Sequence, residues 1–328
     1  MEMIYQSLAE LINYPNDPNK RIFFLYLLSS LPLAAIAYYQ YHRQFNLRDF
    51  VAGIFNKKLW FHPSARHDYA ILVINKLVKN LLLLPIIITM APIAIGFSDL
   101  LESSFGTMEF LAVSPTTVLV SFTLILFLFD DFSRFLLHFL LHKIPFLWEF
   151  HKVHHSARVL TPMTIYRSHP VESLLYAFRM AITQGIAVGL SYYLFGPTLK
   201  MIDILGANAL VFMFNIMGSN LRHSHVWLSW GNAVEKIFIS PAQHQIHHSN
   251  IPEHFDRNMG AALAIWDRLF GCYLPASAVD DPTKLAFGIS RTNTEHTSLL
   301  EIYFMPFKLS AQALLQGRLL QKLGQKKN

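Results

Sequence analysis

The chain has 328 residues, of which 53% are hydrophobic and 15% are charged, and its mean hydropathy is +0.33. This composition is too apolar for an ordinary soluble protein, so it predicts an integral membrane protein. The net charge of +6 comes with no nucleic-acid-binding motif, and the single cysteine, Cys272, excludes an intrachain disulfide and a thiolate metal cage.

Three apolar runs in the first half of the chain predict membrane-spanning helices, at 22–41, 81–97 and 116–142. The acidic residues before the first run do not resemble a cleaved signal peptide. The loop 42–68 is rich in Lys and Arg, so the positive-inside rule predicts that it faces the cytoplasm. We divide the chain into N-terminal membrane helices (1–115), a histidine-rich core (116–275) and a basic tail (276–328).

Two further apolar runs, 174–195 and 201–221, are separated by a short turn and predict a helical hairpin. Five crossings would place every histidine cluster on the cytoplasmic side, and a hairpin that enters only one leaflet would do the same. The expected fold is an all-α integral membrane protein with four to five transmembrane helices and a cytoplasmic histidine-rich cap that holds a dinuclear metal site. From residue 299 the tail predicts a basic amphipathic helix on anionic lipid, with a frayed solvated terminus as the alternative.

Three histidine clusters predict the metal site: HFLLH from His138 to His142, HKVHH from His151, and HQIHH from His244. Imidazole is the commonest protein metal ligand, and helical residues three or four apart share one face. The two adjacent histidines in each H-x-x-H-H box point about 100° apart on a helix, so one box can reach two metal ions. Asp131, two turns before His138 on the same face, is predicted to orient an imidazole from outside the ligand set.

The order H-x-x-x-H, H-x-x-H-H, H-x-x-H-H resembles the fatty acid hydroxylase and sterol desaturase superfamily of membrane di-iron oxygenases. The resemblance covers about 131–273, including the YRSHP element and HQIHHSNIPEHFDRNMGAALAIWDRLFGCY. It implies two iron ions, with dioxygen as co-substrate and with no catalytic residue beyond the metal site. The ligand positions that match are His138, His142, His151, His154, His155, His244, His247 and His248.

The superfamily usually has one more ligand histidine before the third box, and the RHSH segment offers His223 and His225 for it. The resemblance favours His223 and keeps His225 as the second candidate. His169, in a Ser-His-Pro element, is implied as a residue beside the ligands or on the substrate side, with metal binding as the alternative. Asn258 and Asp267 match residues that orient histidines in the superfamily.

The expected function is hydroxylation of a fatty acyl, sterol or ether lipid with dioxygen. The alternatives are desaturation, ether-lipid cleavage, and a zinc site that hydrolyses lipids or only holds the cap together. Ether-lipid cleavage is the third outcome, and the YRSHP and DRNMG elements are somewhat similar to those of alkylglycerol monooxygenase relatives. Imidazole also suits zinc, so a purified sample can carry misloaded zinc.

The electron source and the location are also predicted from the sequence. The chain has neither a haem-binding His-Pro-Gly-Gly segment nor a Gly-rich dinucleotide motif. We therefore expect a separate electron donor, such as a cytochrome b5-like protein, a ferredoxin or a flavin reductase. The lipid substrate is expected to enter from the bilayer. A bacterial inner membrane is favoured, with the endoplasmic reticulum as the alternative.

Overall fold

The computed structural model of the chain describes residues 2–107, 109–197, 199–289 and 296–325, with side chains through residue 316. Its architecture is mainly helical, and one small antiparallel hairpin interrupts it. The α-helices of the described residues are α1 (Glu2–Ile12), α2 (Phe24–His42), α3 (Leu47–Ile54), α4 (Lys57–Trp60), α5 (Pro63–Val78), α6 (Met90–Phe105), α7 (Pro115–Lys143), α8 (Pro145–His155), α9 (Pro170–Phe195), α10 (Ala209–Ile216), α11 (Gly231–Glu235), α12 (Pro241–His248), α13 (Ile265–Leu269) and α14 (Leu299–Gln325). The strands are β1 (Asp203–Ile204) and β2 (Ala207–Asn208).

Two helical stretches of the described chain are long and apolar enough to cross a membrane, Pro63–Phe105 and Pro170–Phe195. The first combines α5 and α6 with a π-helical turn, Lys79–Leu83, and a 3-10 turn, Leu84–Ile86. Large apolar side chains are exposed along the outer faces of the long helices, as at Phe24, Leu28, Leu31, Ile95, Leu100, Leu124, Leu128, Met180 and Ile182. An exposed apolar surface of this extent is typical of a membrane-facing surface.

The predicted helix over 201–221 is wrong. This segment forms the β1–β2 hairpin, the eight-residue helix α10 and a 3-10 turn, Ser219–His223. At 1.5 Å per residue α10 is about 12 Å long, which is too short to span a bilayer. The amide of Ile202 donates to Thr123 Oγ1 at 2.8 Å, so the chain returns along α7 without forming a second full helix after α9. The predicted number of membrane crossings therefore cannot be used to argue that the histidines lie on one side. That they lie together follows from the contacts between them.

Proline and capping residues determine where the histidine-bearing helices begin. Pro145 follows the last residues of α7 and occupies the first turn of α8, so one helix ends and the next begins at Ile144. The Ser240 hydroxyl accepts from the backbone amide of Gln243, and the Gln243 side-chain oxygen accepts from the backbone amide of Ser240. Together these bonds form a capping box at the start of α12. These local signals place the second and third histidine boxes on helices, as the sequence predicts.

Helices α6 and α9 pack closely through glycine. A Cβ atom built on Gly189 would lie 2.5 Å from the carbonyl oxygen of Ala94 and 3.2 Å from Cβ of Phe97. Gly185 has a similar contact with Ile93. By contrast, a Cβ atom on Gly96, in the interior of α6, would meet nothing within 4 Å.

We expect Gly189→Ala to lower the free energy of unfolding by about 1–3 kcal/mol, because the added methyl group overpacks the α6–α9 contact. The matched control, Gly96→Ala, should raise it by about 0.5–1 kcal/mol, because alanine is the better residue in an open helix interior. Thermal unfolding of the purified protein in detergent measures both variants. A Gly189→Ala protein as stable as the wild type would contradict the close packing of α6 on α9.

The predicted C-terminal helix is present as α14, and it packs on the histidine-bearing part of the fold. Ile302 is buried in one cluster with Ile71 of α5 and Val153 of α8. The backbone of α14 is described to residue 325, whereas the basic side chains Arg318, Lys322, Lys326 and Lys327 lie outside the described part. Contact of this helix with anionic lipid stays a prediction.

Candidate metal centre

The structure brings nine histidines together in two groups. The ligand atoms within each group lie within 4.8 Å of one another. The five-histidine group consists of His138, His142, His151, His155 and His247. The four-histidine group consists of His154, His223, His244 and His248. Seven of the nine are buried, and His138 and His142 are partly buried.

The helical period divides each box between the two groups. On α8, His151 and His155 belong to the five-histidine group, whereas His154 belongs to the four-histidine group. On α12 the division is reversed, since only His247 belongs to the five-histidine group. Adjacent histidines thus reach different groups, as their separation of about 100° predicts.

His225 is the one predicted ligand that the structure leaves out of both groups. Its side chain is exposed and lies against the backbone of Gly53. His223, two residues earlier, ends the 3-10 turn after α10 and is buried in the four-histidine group. The sequence offered both histidines, and the extended backbone at Ser224 separates them.

In five of the nine imidazoles the Nδ1 atom faces an acceptor. Nδ1 of His138 lies 2.8 Å from the carbonyl oxygen of Met259, and Nδ1 of His247 lies 2.8 Å from that of Arg257. A carbonyl oxygen only accepts, so in these two imidazoles Nδ1 carries the proton and Nε2 has the free lone pair. His154 is held in the same way by the carbonyl oxygen of Arg167, at 3.1 Å.

Two carboxylates accept from the imidazoles of the five-histidine group. Glu172 Oε1 lies 3.0 Å from Nδ1 of His151, and both residues are buried. Asp256 Oδ1 lies 3.3 Å from Nδ1 of His142. A carboxylate at this position orients a metal-binding imidazole and makes it a stronger donor.

The Nε2 atoms face one another at distances that suit a shared cation. Nε2 of His138 lies 3.0 Å from Nε2 of His151, and in the other group Nε2 of His223 lies 3.0 Å from that of His248. With both Nδ1 atoms protonated, no proton is left between His138 and His151, so their lone pairs repel. Two ligand nitrogens about 2.1 Å from one metal ion and at right angles would be about 3.0 Å apart, so the observed spacing fits a metal-binding site. Nε2 of His142 is buried without a hydrogen-bond partner among the described residues.

Burial keeps the ligand histidines neutral. It lowers the pKa of His151 to about 3 and that of His154 to about 4. An imidazole with such a pKa is unprotonated at neutral pH, so its Nε2 lone pair is available to a metal.

The loop 256–260, the DRNMG element, orients three of the imidazoles. Asp256 and Asn258 have φ values of 57° and 54°, in the left-handed region that Asp and Asn adopt more readily than most residues. This turn presents the carbonyl oxygens of Arg257 and Met259 to the five-histidine group. The Asp267 carboxylate accepts from the Met259 amide at 2.6 Å, so it acts on His138 through the backbone.

None of the four residues predicted beside the ligands contacts an imidazole of either group in the described structure, and Asp267 acts only through the backbone. Asp131 accepts from the Ala262 and Leu263 amides and from Trp266 Nε1, so the predicted direct contact with an imidazole is corrected. The Asn258 side chain instead joins Gln243 to Leu274. His169 caps α9 through Nδ1 and donates from Nε2 to the carbonyl oxygen of Tyr303 on α14.

Glu172, like Asp256, contacts an imidazole and was not predicted from the sequence. It lies in the first turn of α9, where an acidic residue also stabilises the helix N-terminus, so its position has an ordinary structural explanation. Its separation from His151 by 21 residues follows no helical or box spacing. The only available signal was its place three residues after His169 in the YRSHP element.

The comparisons with known proteins cover the part of the chain that holds these histidines. Residues 123–272 match the fatty acid hydroxylase family. The chain is 27% identical to an alkylglycerol monooxygenase of Danio rerio over 151 residues. The aligned residues make up 46% of this chain and 30% of that protein. The chain is 31% identical to an ornithine lipid hydroxylase of Rhizobium tropici over 143 residues. That alignment covers 44% of this chain and 39% of the relative.

A sterol enzyme is also similar. The chain is 28% identical to a delta(7)-sterol 5(6)-desaturase of Eremothecium gossypii over 146 residues, or 44% of this chain and 35% of that protein. The chain thus matches about a third of the length of these curated relatives. No solved structure matches it.

Proposed function

We propose that this chain, whose residues 123–272 match the fatty acid hydroxylase family, is a membrane oxidoreductase that hydroxylates a lipid with dioxygen and external electrons. The observation that carries the proposal is the pair of buried, all-histidine groups inside that domain. The similar proteins are a monooxygenase, a lipid hydroxylase and a sterol desaturase, which supports the reaction class.

The donor set supports iron as the metal of both groups. Two iron ions bound there would supply the activation of dioxygen that breaking an unactivated C–H bond requires. Neutral imidazoles hold a metal without cancelling its charge, in contrast to the carboxylate-rich Glu-x-x-His sites of soluble di-iron bundles. The same imidazoles also suit zinc, so the metal has to be measured.

The residues around the two groups orient the ligands and exclude water. The carbonyl oxygens of Arg257 and Met259 keep the Nδ1 protons on the outer side of His247 and His138. The ring of Trp148 packs against the imidazoles of the five-histidine group, with its centroid 5.0 Å from that of His142. Such packing holds the ligands in place and limits access of bulk water on that side.

A cavity of about 500 Å³ borders both groups and provides the space for a substrate. Imidazoles of His138 and His151, from the five-histidine group, and of His154, His223 and His244, from the other group, line it. Apolar side chains of the membrane-facing helices line it as well, including Leu83, Ile87 and Met180. We infer that a lipid enters from the bilayer and meets the metals in this cavity, on the cytoplasmic side of the membrane, with a bacterial inner membrane favoured.

Desaturation is the second candidate, because the similar sterol enzyme is a desaturase. It begins with the same hydrogen abstraction and ends with loss of a second hydrogen instead of gain of oxygen. In both reactions a separate protein supplies the electrons.

Lipid analysis of cells tests the proposal. We expect cells that express the wild-type chain, with a reductase present, to contain a lipid class that gains one oxygen atom, as seen by untargeted mass spectrometry. Cells that express His154→Ala should lack that product, and His42→Ala, a change outside both groups, should retain it. The purified wild-type protein should contain iron and consume dioxygen only when a reductant is present.

Other outcomes would change the assignment. A lipid that loses two hydrogens in place of gaining oxygen would establish the desaturase. A purified protein that contains zinc, stays inactive after iron loading and consumes no dioxygen would contradict the oxidation and leave a hydrolytic or structural zinc site.

A further inference from the structure

Basic side chains surround the cavity beside the metal groups. Five of them line it: Arg21, Lys79, Arg134, Arg179 and Arg222. The acidic residue on the same lining, Glu172, already accepts from Nδ1 of His151. The cavity wall therefore carries more positive than negative charge. A neutral lipid would not require this excess of positive charge.

Two of the arginines share one carboxylate. Asp130 Oδ2 accepts from Nε of Arg134 at 2.7 Å, and Asp130 Oδ1 lies 2.9 Å from Nη1 of Arg179. Arg179 also donates to Ser133 Oγ at 2.6 Å, and its Nε is buried without a hydrogen-bond partner in the described structure. One negative charge thus faces two guanidinium groups.

The other two arginines contact neutral groups within the described residues. Arg21 donates to the side chains of Asn215 and Ser219. Arg222, which is only 5% exposed, donates from Nη2 to the carbonyl oxygen of Ile239 at 3.2 Å. Its Nε is buried without a hydrogen-bond partner among the described residues.

The positive charges around the cavity are close enough to repel one another. Burial, and then the nearby charge of Arg21, lower the pKa of Arg222 to about 9. Burial, and then the charge of Arg134, lower the pKa of Arg21 to about 10. The carboxylates of Asp130, Asp131 and Asp267 offset part of this repulsion. Burying like charges with too few counter-charges is costly, and a bound anion would relieve the cost.

We propose that the cavity binds an amphiphile whose polar head is an anion, a phosphate or a carboxylate, held among Arg21, Arg134, Arg179 and Arg222. This inference rests on the proposed function, because it assigns the cavity to the substrate of that oxidation. Guanidinium groups bind both anions through paired, charge-assisted hydrogen bonds. Arg134 precedes His138 by four residues on α7, which places it about 6 Å away along the helix axis.

The apolar part of the same cavity accommodates the chain of the amphiphile. Leu83, Ile87, Ile165, Ala177 and Met180 contribute to its lining. An anionic head among the arginines and an alkyl chain against these side chains place the ligand beside the imidazoles of both groups. A neutral amphiphile of the same length would leave the guanidinium charges without a counter-charge.

Binding of three probes with identical alkyl chains tests this inference: tetradecyl phosphate, tetradecanoate and tetradecanol. The full-length, metal-loaded protein in a neutral detergent is titrated with each radiolabelled probe. We expect at least about tenfold lower Kd for one or both anions than for the alcohol, on the scale of one charge-assisted hydrogen bond. Tighter binding of the phosphate identifies a phosphate head, and tighter binding of tetradecanoate identifies a carboxylate head.

Two variants and a control locate the effect in the cavity. Arg134→Gln should weaken anion binding about tenfold and leave tetradecanol binding unchanged. Lys79→Gln removes a cavity charge that makes no ion pair in the described structure, and it should weaken anion binding about threefold. This second variant tests the inference if Arg134→Gln folds poorly. The control, Lys236→Gln, removes an exposed charge outside the cavity and should have no effect.

Equal affinity for the anions and the alcohol would overturn the inference, as would a loss in Lys236→Gln equal to that in the cavity variants. If selectivity is absent in a protein that binds iron and consumes dioxygen, the anionic head is contradicted and the oxidation stands. If the anions bind selectively to a protein that oxidises no lipid, the oxidation is contradicted and the anion site stands.

Discussion

Replacing His247 by alanine should reduce the metal content of the purified protein by about one ion per chain and lower turnover at least about a hundredfold. The size of the loss follows from the site: altering a residue that only orients a ligand typically costs 10–100-fold, and His247 is itself a proposed ligand. Its Nε2 is buried without a hydrogen-bond partner among the described residues, so its removal leaves a gap in the five-histidine group. Elemental analysis of the protein, beside its oxygen consumption, measures both effects.

The matched control is His225→Ala. This histidine belongs to the same sequence region as His223 but lies outside both groups with an exposed side chain. It should keep the full metal content and activity. A His247→Ala protein that folds, retains all of its metal and remains active would contradict the proposed metal site. A His225→Ala protein that loses metal would show that the ligand groups are assigned incorrectly.

Glu172→Ala should weaken metal binding by the five-histidine group about 10–100-fold, because it removes the carboxylate that accepts from Nδ1 of His151. Glu172→Gln should have a smaller effect, since its amide oxygen still accepts from Nδ1 but the negative charge is gone. Competition with a chelator for the bound metal measures the affinities.

Glu253→Gln, a change at an exposed carboxylate, serves as the control and should leave the affinity unchanged. If Glu172→Ala binds metal as tightly as the wild type, the contact with His151 contributes nothing to the site. If Glu172→Gln is as weak as Glu172→Ala, the charge, rather than the hydrogen bond, provides the whole effect.

Local periodicity explains why the histidine boxes could be interpreted from the sequence. Each box lies on one short helix, and the angle between His154 and His155 depends only on the helical period. The capping residues that place these helices, such as Ser240 and Pro145, are also local. The mainly helical architecture follows from the same kind of signal.

The error over 201–221 has a physical reason as well. An apolar run indicates burial in lipid or protein, but it does not state which regular structure the backbone forms. Here the hydrogen bond from Ile202 to Thr123 and the turns at Gly206 and Gly218 divide the run into a hairpin and a short helix. The Ile202–Thr123 contact joins residues 79 positions apart, beyond the reach of a periodic pattern.

Residue patterns were enough to predict the two H-x-x-H-H boxes, the division of each box between two groups and the apolar character of the chain, because these depend on composition and on residues within a few positions. The packed fold was needed to show that Glu172 contacts His151, that Asp131 accepts from the backbone of residues 262 and 263, and that His225 lies outside both groups. It also gathered the arginines of the cavity from four separate segments of the chain. Each of these facts is a contact between residues distant in sequence, and such contacts exist only once the helices have packed.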